Sequence, residues 1–431
     1  MNASCIRRSG RRAASSAGFT LVELMVALTG GLFLSIAVFA LARDSGRFYQ
    51  REARLANATV SGLIGFERLR ADLGRAGFLS SPNVFRDPRL CGSPDGNWPT
   101  QLRDLASIQL SKPVVTPPAL VVNRRAPPII TLAGSYTSPD VYGAKIVPSG
   151  NTVIFQLSTI EGAGALRRLG NGAMPTNAVM TAAFPVLRVL RIVQNGNQYY
   201  GQIVGAAGGA QPTVTINMQP PVQFRSGSAL GCGLTVPGSG ASTATINVVN
   251  FIQYAVAPLQ TPDAVAAYAN VFANSSDAPG EAGRTELTRV ELDINGQVIP
   301  GTEELVAEYA VDLYLQVTAV TSTNGCCDPN LTQLSPSDAR FATFTGPVFN
   351  SLNTPELVRS VRVRLGVRSR EFDHVKDAVW DKPPPASQGL YRFGIDWDLP
   401  KDERKWWPDK FARVRTFQAD VMLHNQADVL W

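Results

Sequence analysis

The sequence predicts an α+β protein in which a long amino-terminal helix, membrane-spanning in its first half, packs on an antiparallel β-sheet. Residues 19–42 form an apolar run in which Glu23 is the single ionisable residue. No proline precedes Pro82, so the helix can continue to about Leu73. The rest of the chain alternates apolar and polar residues in short segments between Gly, Pro, Ser and Asn clusters, which is typical of strands and turns.

The apolar run is long enough to cross a bilayer, since about 20 apolar residues span the hydrocarbon core. Residues 1–18 carry no acidic residue and four arginines, namely Arg7, Arg8, Arg11 and Arg12. Basic residues favour the cytoplasmic side, which predicts that the chain after Ala42 lies outside the cytoplasm. An ordinary secretory signal is cut after its apolar core, whereas here the small residues Ala17 and Gly18 precede the core. Cleavage at this point removes a leader, residues 1–18, and leaves the membrane helix, residues 19–42, attached.

The segment from Gly18 to Leu24, which reads Gly-Phe-Thr-Leu-Val-Glu-Leu, resembles the type III signal of type IV pilins. The resemblance implies that prepilin peptidase cuts between Gly18 and Phe19 and methylates the new terminal nitrogen of Phe19. It also implies that Glu23 pairs with the terminal nitrogen of a neighbouring subunit. Such a partner is needed, because a carboxylate inside the bilayer costs roughly 2.5–3.5 kcal/mol on insertion scales. The alternative is a generic single-pass anchor in which the glutamate occurs by chance.

The composition fits a loop-rich β protein of one or two domains, with 431 residues, 37 glycines, 30 prolines and 17% charged residues. The formal net charge of +6 falls to about +2 once the four leader arginines are removed. Because the mature chain is nearly neutral and shows no basic footprint, we expect no direct binding of nucleic acid.

Residues 43–78 continue the helix as an amphipathic segment. Its apolar positions recur at helical spacing and define one face: Leu55, Leu63, Phe66, Leu69 and Leu73. Gly74 and Gly77 favour a helix end. The pattern Leu-x-x-Asp-Leu-x-x-Ala-Gly-aromatic over residues 69–78, with Cys91 soon after, resembles the helix end of PilW-type minor pilins. The resemblance implies a type IV pilin-like fold with an enlarged β-rich head.

Residues 83–284 are predicted to form a β-rich insertion in that head. Short strands are expected at Ala119–Asn123, Thr152–Leu157, Val186–Val193, Thr213–Met218 and Thr245–Ala255. The Gly/Ala-rich tract Ile203–Gln211 is predicted to be a loop, because small residues have little apolar surface to bury in a sheet.

Residues 285–431 are predicted to form the C-terminal antiparallel sheet of the head. Asn295 and Gly296 predict a type I′ hairpin turn, and Glu304–Thr318 is expected to begin as a helical turn and continue as a strand. Val361–Arg368 alternates strictly, and its basic face is predicted to be solvated. With a last strand at Phe411–Asn425, these segments resemble the closing sheet of PilW-type proteins and of type II secretion pseudopilins.

Four cysteines follow the leader: Cys91, Cys232, Cys326 and Cys327. An even number in an oxidising compartment favours disulfides. We favour pairing of Cys326 and Cys327 with the other two cysteines, because a bond between adjacent residues is strained. The alternative, a vicinal bond together with a Cys91–Cys232 bond, stays open.

The sequence contains no constellation that predicts catalysis. The two histidines, His374 and His424, are far apart, and no nucleophile, metalloprotease or nucleotide-binding motif occurs. Asp293–Gly296 begins like a calcium loop but lacks the later carboxylates, so a hairpin is favoured. Asp396–Asp398 is interpreted as a turn. We therefore expect no enzyme, no cofactor and no metal site.

The resemblance implies a minor pilin that assembles with other minor pilins and the major pilin to prime a type IV pilus, with motility, adhesion or DNA uptake downstream. Its further partners would be prepilin peptidase and the inner-membrane assembly platform. The subunit would wait in the bacterial inner membrane, head in the periplasm, and then reach the pilus at the cell surface. Two alternatives are a GspJ-type pseudopilin of type II secretion, whose head is usually much smaller, and a pilus-tip adhesin that binds through residues 83–284.

Overall fold

The computed structural model describes residues 20–427 apart from 93, 114–115, 150–151, 160–162, 218–223, 227–231, 237–242, 259–266, 269–282, 325–327, 350–351, 371–372, 375–383 and 396–409. The chain divides into two units, residues 1–54 and residues 55–431, and each is described by itself. The described part is α+β, with an apolar amino-terminal helix and antiparallel sheets, as the sequence predicts.

The described helices are α1 Leu21–Gly74, α2 Thr100–Arg103, α3 Pro118–Val122, α4 Ala163–Leu169, α5 Asn177–Ala183 and α6 Phe341–Thr345. The described strands are β1 Ile108–Ser111, β2 Ile129–Gly134, β3 Tyr142–Ser149, β4 Thr152–Leu157, β5 Val189–Gln194, β6 Asn197–Ala207, β7 Thr213–Asn217, β8 Phe224–Ser226, β9 Leu234–Val236, β10 Thr243–Ala257, β11 Glu286–Leu292, β12 Glu304–Ala307, β13 Ala310–Asn324, β14 Asp328–Leu334, β15 Val358–Arg368, β16 Asp373–His374, β17 Arg392–Gly394 and β18 Lys410–Met422.

One helix, α1, covers nearly all of the predicted helical region, because no proline interrupts it. In the first unit, Leu21–Gly46 is long and apolar enough to cross a membrane, and its side chains are exposed. The helix ends at Gly74. Three residues later Gly77 takes a φ of +75° and its amide donates to the carbonyl oxygen of Ala133 over 2.8 Å. This left-handed glycine turns the chain away from the helix axis.

A closed six-stranded antiparallel barrel forms the middle of the chain. Its strands follow the order β3-β4-β7-β6-β5-β10, and β10 closes the ring because it pairs with both β5 and β3. Thr245, for example, lies opposite Gly143 on one side and opposite Val193 on the other. The interior is a packed apolar core to which α4 contributes Leu166 and α5 contributes Met180. Closure removes the free edges that six open strands would expose.

The long strand β10 also belongs to a second structure. Beyond the barrel, residues 250–254 pair with β2 on one side and residues 251–257 pair with β11 on the other. The result is a five-stranded antiparallel sheet of order β1-β2-β10-β11-β12. The barrel therefore leads directly into this sheet through a continuous strand.

A separate antiparallel sheet has the order β14-β13-β15-β18-β16, and β17 also pairs with β18. The outer half of α1 packs against it through Phe66, whose ring lies 5.9 Å from that of Phe417 in β18. Leu69 and Leu73 are fully buried in the same core, which joins the helix to both sheets. The predicted strand Val361–Arg368 is confirmed as part of β15.

Two predictions within the insertion are wrong, and others are confirmed. Ala119–Asn123 was expected to be a strand, but α3 covers most of it, because Pro118 sits at the start of that helix, where proline is favoured. Ile203–Gln211 was expected to be a loop, but β6 continues to Ala207, because the small residues pair with β7. Thr152–Leu157 matches β4 at both ends, and the strands expected near β5, β7 and β10 are present.

Two of the Asn-Gly pairs in the chain lie in hairpin turns, and the two turns differ in backbone conformation. Asn195 and Gly196 both have a positive φ, of 51° and 80°, and join β5 to β6 in a two-residue hairpin with type I′ character. At the predicted position, Gly296 has a positive φ but Asn295 does not, so that turn is not type I′. The expected helical turn at Glu304 is also wrong, because β12 begins there and pairs with β11.

Candidate functional site

The carboxylate of Glu23 is held by the first turn of α1. Its Oε2 atom accepts hydrogen bonds from the amide and the hydroxyl of Thr20, over 3.0 and 2.9 Å. In return the hydroxyl of Thr20 accepts the amide of Glu23 over 3.2 Å. This reciprocal arrangement is a capping box, which supplies partners to groups that a helix start leaves free. Within the described part of the chain, the donors to this carboxylate bind Oε2.

Thr20 was not predicted as a partner of Glu23, because a charged partner from a neighbouring subunit was expected. The signal was present, since Thr-x-x-Glu before an apolar run is the pattern of a capping box. Thr20 satisfies hydrogen-bonding capacity but carries no charge, so it does not neutralise the carboxylate. Gly18 and Phe19, the predicted processing junction, lie outside the described residues.

At the other end of α1, a buried polar network surrounds Asp72. Its Oδ2 atom accepts the hydroxyl of Tyr254 over 2.7 Å and the Nε of Arg289 over 3.0 Å. The hydroxyl of Tyr136 donates to the backbone carbonyl oxygen of Asp72 over 3.0 Å. Burial, with the negative charge of Asp72, raises the pKa of Tyr254 far above its usual range, so this hydroxyl remains a donor. The network ties the helix end to β10 and β11.

Two glycines let the outer half of α1 approach the sheets closely. A Cβ atom added at Gly65 would lie 2.5 Å from the carbonyl oxygen of Val306, and one added at Gly62 would lie 2.6 Å from the ring of Phe417. The predicted apolar face placed Leu63 on the buried side, but Leu63 is 47% exposed. The buried face therefore runs through the glycines, which a search for large apolar residues does not find.

The basic face of β15 is not solvated, which corrects the prediction. Arg364 and Arg368 are 5% and 0% exposed, whereas Arg362 is more open and forms an ion pair with Asp420 over 2.7 Å. The Nε of Arg364 donates to Asp312 over 2.9 Å, and its two terminal nitrogens donate to the backbone carbonyls of residues 386 and 387.

Arg125 completes this buried group, with its Nε 3.7 Å from Asp312. Burial raises the pKa of Asp312, and the guanidinium groups of Arg364 and Arg125 oppose that rise. Arg125 also donates to the carbonyl oxygen of Pro385 over 3.0 Å. These hydrogen bonds hold residues 385–387 against the polar face of the sheet. The cluster of Arg125, Asp312 and Arg364 therefore has a structural role.

One disulfide, between Cys91 and Cys232, lies in the described part of the chain. The favoured pairing of these cysteines with Cys326 and Cys327 is therefore wrong, and the bond belongs to the alternative that the sequence left open. Cys326 and Cys327 themselves lie outside the described residues. The bond joins the chain after α1 to the segment that contains β9, where the amide of Thr235 donates to the side chain of Gln194 in β5 over 2.8 Å.

No metal-binding group of three or more His, Cys, Asp or Glu side chains occurs among the described residues. The carboxylate of Asp293 accepts the amides of Asn295 and Gln297 over 2.8 and 2.9 Å, so it closes the hairpin turn that was predicted in preference to a calcium loop. Asp396–Asp398 lies outside the described residues.

Comparison of the chain with protein-family models, with curated proteins and with solved structures gave no match.

Proposed function

We propose that this chain is a pilin-like subunit of a type IV pilus, a minor pilin that acts by assembly. The observation that carries the proposal is the sequence from Gly18 to Leu24 at the start of an exposed apolar helix, in which the donors to Glu23 among the described residues are neutral. Three further features support it: the continuous helix α1, the antiparallel sheet against which its outer half is buried, and the polar network at Asp72.

In this proposal the leader is removed before Phe19, and the mature subunit is held in the membrane by the first half of α1. Within the part of the chain that the structure describes, Thr20 binds Oε2 of Glu23 and leaves Oε1 for a neighbouring amino terminus. An ammonium partner would supply the charge that Thr20 lacks. The cost of an unpaired carboxylate in hydrocarbon then favours docking of the subunit into the growing fibre.

The proposal is tested by expressing Glu23→Val, Glu23→Gln and Thr20→Val in a strain that lacks the gene. Glu23→Val should insert and be cleaved normally but should abolish or sharply reduce surface pili and co-purification with other minor pilins. Glu23→Gln keeps the shape and the capping bonds without the charge, so it should behave like Glu23→Val. Thr20→Val should have the smaller effect, because the backbone amide of residue 20 can still donate a hydrogen bond to the carboxylate of Glu23. Normal piliation from Glu23→Gln would refute a role for the charge.

Processing is tested separately by mass spectrometry of the membrane-bound chain. A mature chain that begins at N-methylated Phe19 is expected, and Gly18→Arg should leave the leader attached. An intact Met1 in the wild type, or a chain that starts near Ala42, would contradict the proposal.

The closed barrel gives a specific reason to keep the tip-adhesin alternative as a second candidate. Among the described residues, its interior side chains form an apolar cluster that is distinct from the one that holds α1. A chain in which residues 142–249 are replaced by a short linker distinguishes the two roles. Loss of surface attachment with normal pilus number would assign binding to the barrel, whereas loss of pili would assign the barrel to assembly.

A further inference from the structure

A stripe of arginines lies on α1 directly after its apolar span. Arginine occupies positions 43, 47, 51 and 54, and the helix is continuous across all four. With 3.6 residues per turn, these positions fall within an arc of about 80° on the helix surface. We call these four residues the basic stripe.

The acidic residues of this segment lie off the basic stripe. Asp44 is about 100° from Arg43 around the helix, and Glu52 is about 180° from it. Of the four arginine positions, only 47 has an acidic residue three or four positions away, which is the spacing at which side chains on a helix meet. The helix segment itself therefore offers little neutralisation to the stripe.

The basic stripe begins where the membrane ends. A crossing of about 20 residues that starts at Leu21 ends near Leu41, so Arg43 lies within a few ångströms of the hydrocarbon edge. The stripe extends for about 16 Å along the helix, through the headgroup layer and into the adjacent water. Phe48 and Tyr49, which are 66% and 76% exposed, lie at the same level. Tyrosine is one of the two residue types enriched at membrane interfaces, so Tyr49 fits this level.

Membrane topology does not account for these arginines. Four arginines precede the apolar run within the first 18 residues, and four follow it within 12 residues. Basic residues orient a helix by an excess on one side, so the second group opposes the signal of the first. The positive-inside rule therefore does not explain the second group.

We propose that the basic stripe binds anionic phospholipid headgroups on the face of the membrane where the chain emerges. The occupant follows from the positive charge of the stripe and from its position at the headgroup layer. Each basic residue near an anionic surface strengthens binding by a factor of about five. Two arginines within the headgroup layer thus give a preference of about 25-fold for an anionic lipid, and the outer two add to it within the screening length.

The consequence is a fixed depth and rotation of α1 in the membrane. A stripe that covers less than a quarter of the helix surface binds the lipid surface best when that face tilts toward the headgroups. The proposal depends on the membrane span and not on the pilus, so it stands or falls separately from the proposed function.

The test uses the full chain purified in a nonionic detergent and titrated with phosphatidylglycerol or phosphatidylcholine, with bound lipid counted by native mass spectrometry. The stripe variant replaces all four arginines with glutamine: R43Q, R47Q, R51Q and R54Q. A matched control removes the same charge from exposed arginines elsewhere: R70Q, R167Q, R168Q and R340Q. A second variant keeps the charge of the stripe: R43K, R47K, R51K and R54K.

The stripe variant should lose at least about 25-fold in affinity for phosphatidylglycerol and keep its affinity for phosphatidylcholine. The matched control and the lysine variant should stay within about threefold of the wild type, and raised salt should weaken binding by the wild type. Wild-type affinity in the glutamine variant, an equal loss in the matched control, or no preference of the wild type for phosphatidylglycerol would each overturn the proposal.

Two further arms separate this proposal from its rivals. Inorganic phosphate at matched concentration should not displace phosphatidylglycerol, and displacement would mean a free-anion site. Binding of a DNA fragment without any lipid preference would assign the stripe to nucleic acid. If the glutamine variant does not fold, as judged by proteolysis, the paired variants R43Q/R47Q and R51Q/R54Q decide, and the first pair should show the larger loss because it lies in the headgroup layer.

Discussion

Replacement of Asp72 by alanine should strongly destabilise the junction of α1 with the sheets. The carboxylate is 5% exposed and accepts two buried donors, from Tyr254 and Arg289. Removal of one partner from a buried ion pair costs about 3–5 kcal/mol, because the other charge is left without its partner. Arg289 keeps Glu304 at 3.5 Å, so we expect the low end of this range, about 3 kcal/mol.

The measurement is urea unfolding of the full chain in a nonionic detergent, followed by circular dichroism. Two comparisons make it specific. Tyr254→Phe removes one hydrogen bond and should cost about 1 kcal/mol. Arg68→Gln removes a neighbour that is 48% exposed and 3.9 Å from Asp72, and it should cost less than about 1 kcal/mol because water screens it. A loss from Asp72→Ala no larger than that from Arg68→Gln would refute the reasoning.

Three further predictions use the same unfolding assay. Gly65→Ala should destabilise the chain by about 1–3 kcal/mol, because the new methyl group meets a backbone oxygen. Gly74→Ala, whose new methyl group would have its nearest neighbour at 3.9 Å, should be neutral or stabilising. Equal effects of the two substitutions would contradict the close approach at Gly65. Cys91→Ser with Cys232→Ser should lower the free energy of unfolding by about 2–4 kcal/mol, because the bond spans 141 residues, and a reducing agent should then have no further effect through this bond. Burial raises the pKa of Glu286 to about 7 from 4.5, so its contribution to stability is full below pH 4.5 and is lost as the pH rises through 7. Glu286→Gln should therefore flatten the plot of unfolding free energy against pH over this window. An unchanged plot would refute the shift.

The helix could be predicted from the sequence because its signals are local. Apolar side chains, the lack of proline and the terminal glycines all act within a few residues, and the structure has α1 at Leu21–Gly74. Strands with strict alternation, such as Val361–Arg368, were predicted for the same reason. Single segments of this kind carry their own periodicity whatever the rest of the chain does.

The barrel could not be predicted, because its closure depends on residues far apart in the chain. Strand β10 must pair with β3, about 100 residues earlier, and also with β5, about 50 residues earlier. Neither pairing can be inferred from the alternation of apolar and polar residues within β10. The same limit explains the wrong loop prediction at Ile203–Gln211. Its small residues favour a loop when the segment is considered alone, but pairing with β7 makes residues up to Ala207 part of a strand.

The buried arginines show a limit of another kind. Alternation correctly puts Arg364 on the face of β15 opposite to Val363 and Leu365, but it does not say what covers that face. The covering chain, near residues 385–387, contributes backbone carbonyls, and backbone atoms have no signature in the sequence. A solvated face and a covered one therefore have the same pattern of residues.

The two buried or membrane-facing carboxylates of α1 differ in a way that bears on the proposed assembly. Asp72 has a cation within its own chain, Arg289 at 3.0 Å, and so its charge is compensated when the subunit folds. Glu23 has only the neutral donors of Thr20 among the described residues. Hydrogen bonds from neutral groups reduce the cost of an ionised carboxylate in hydrocarbon but do not remove it. The charge of Asp72 is thus compensated inside the subunit, whereas that of Glu23 is left without a cation among the described residues. An ammonium group from a second chain would therefore relieve a larger cost at Glu23 than at Asp72.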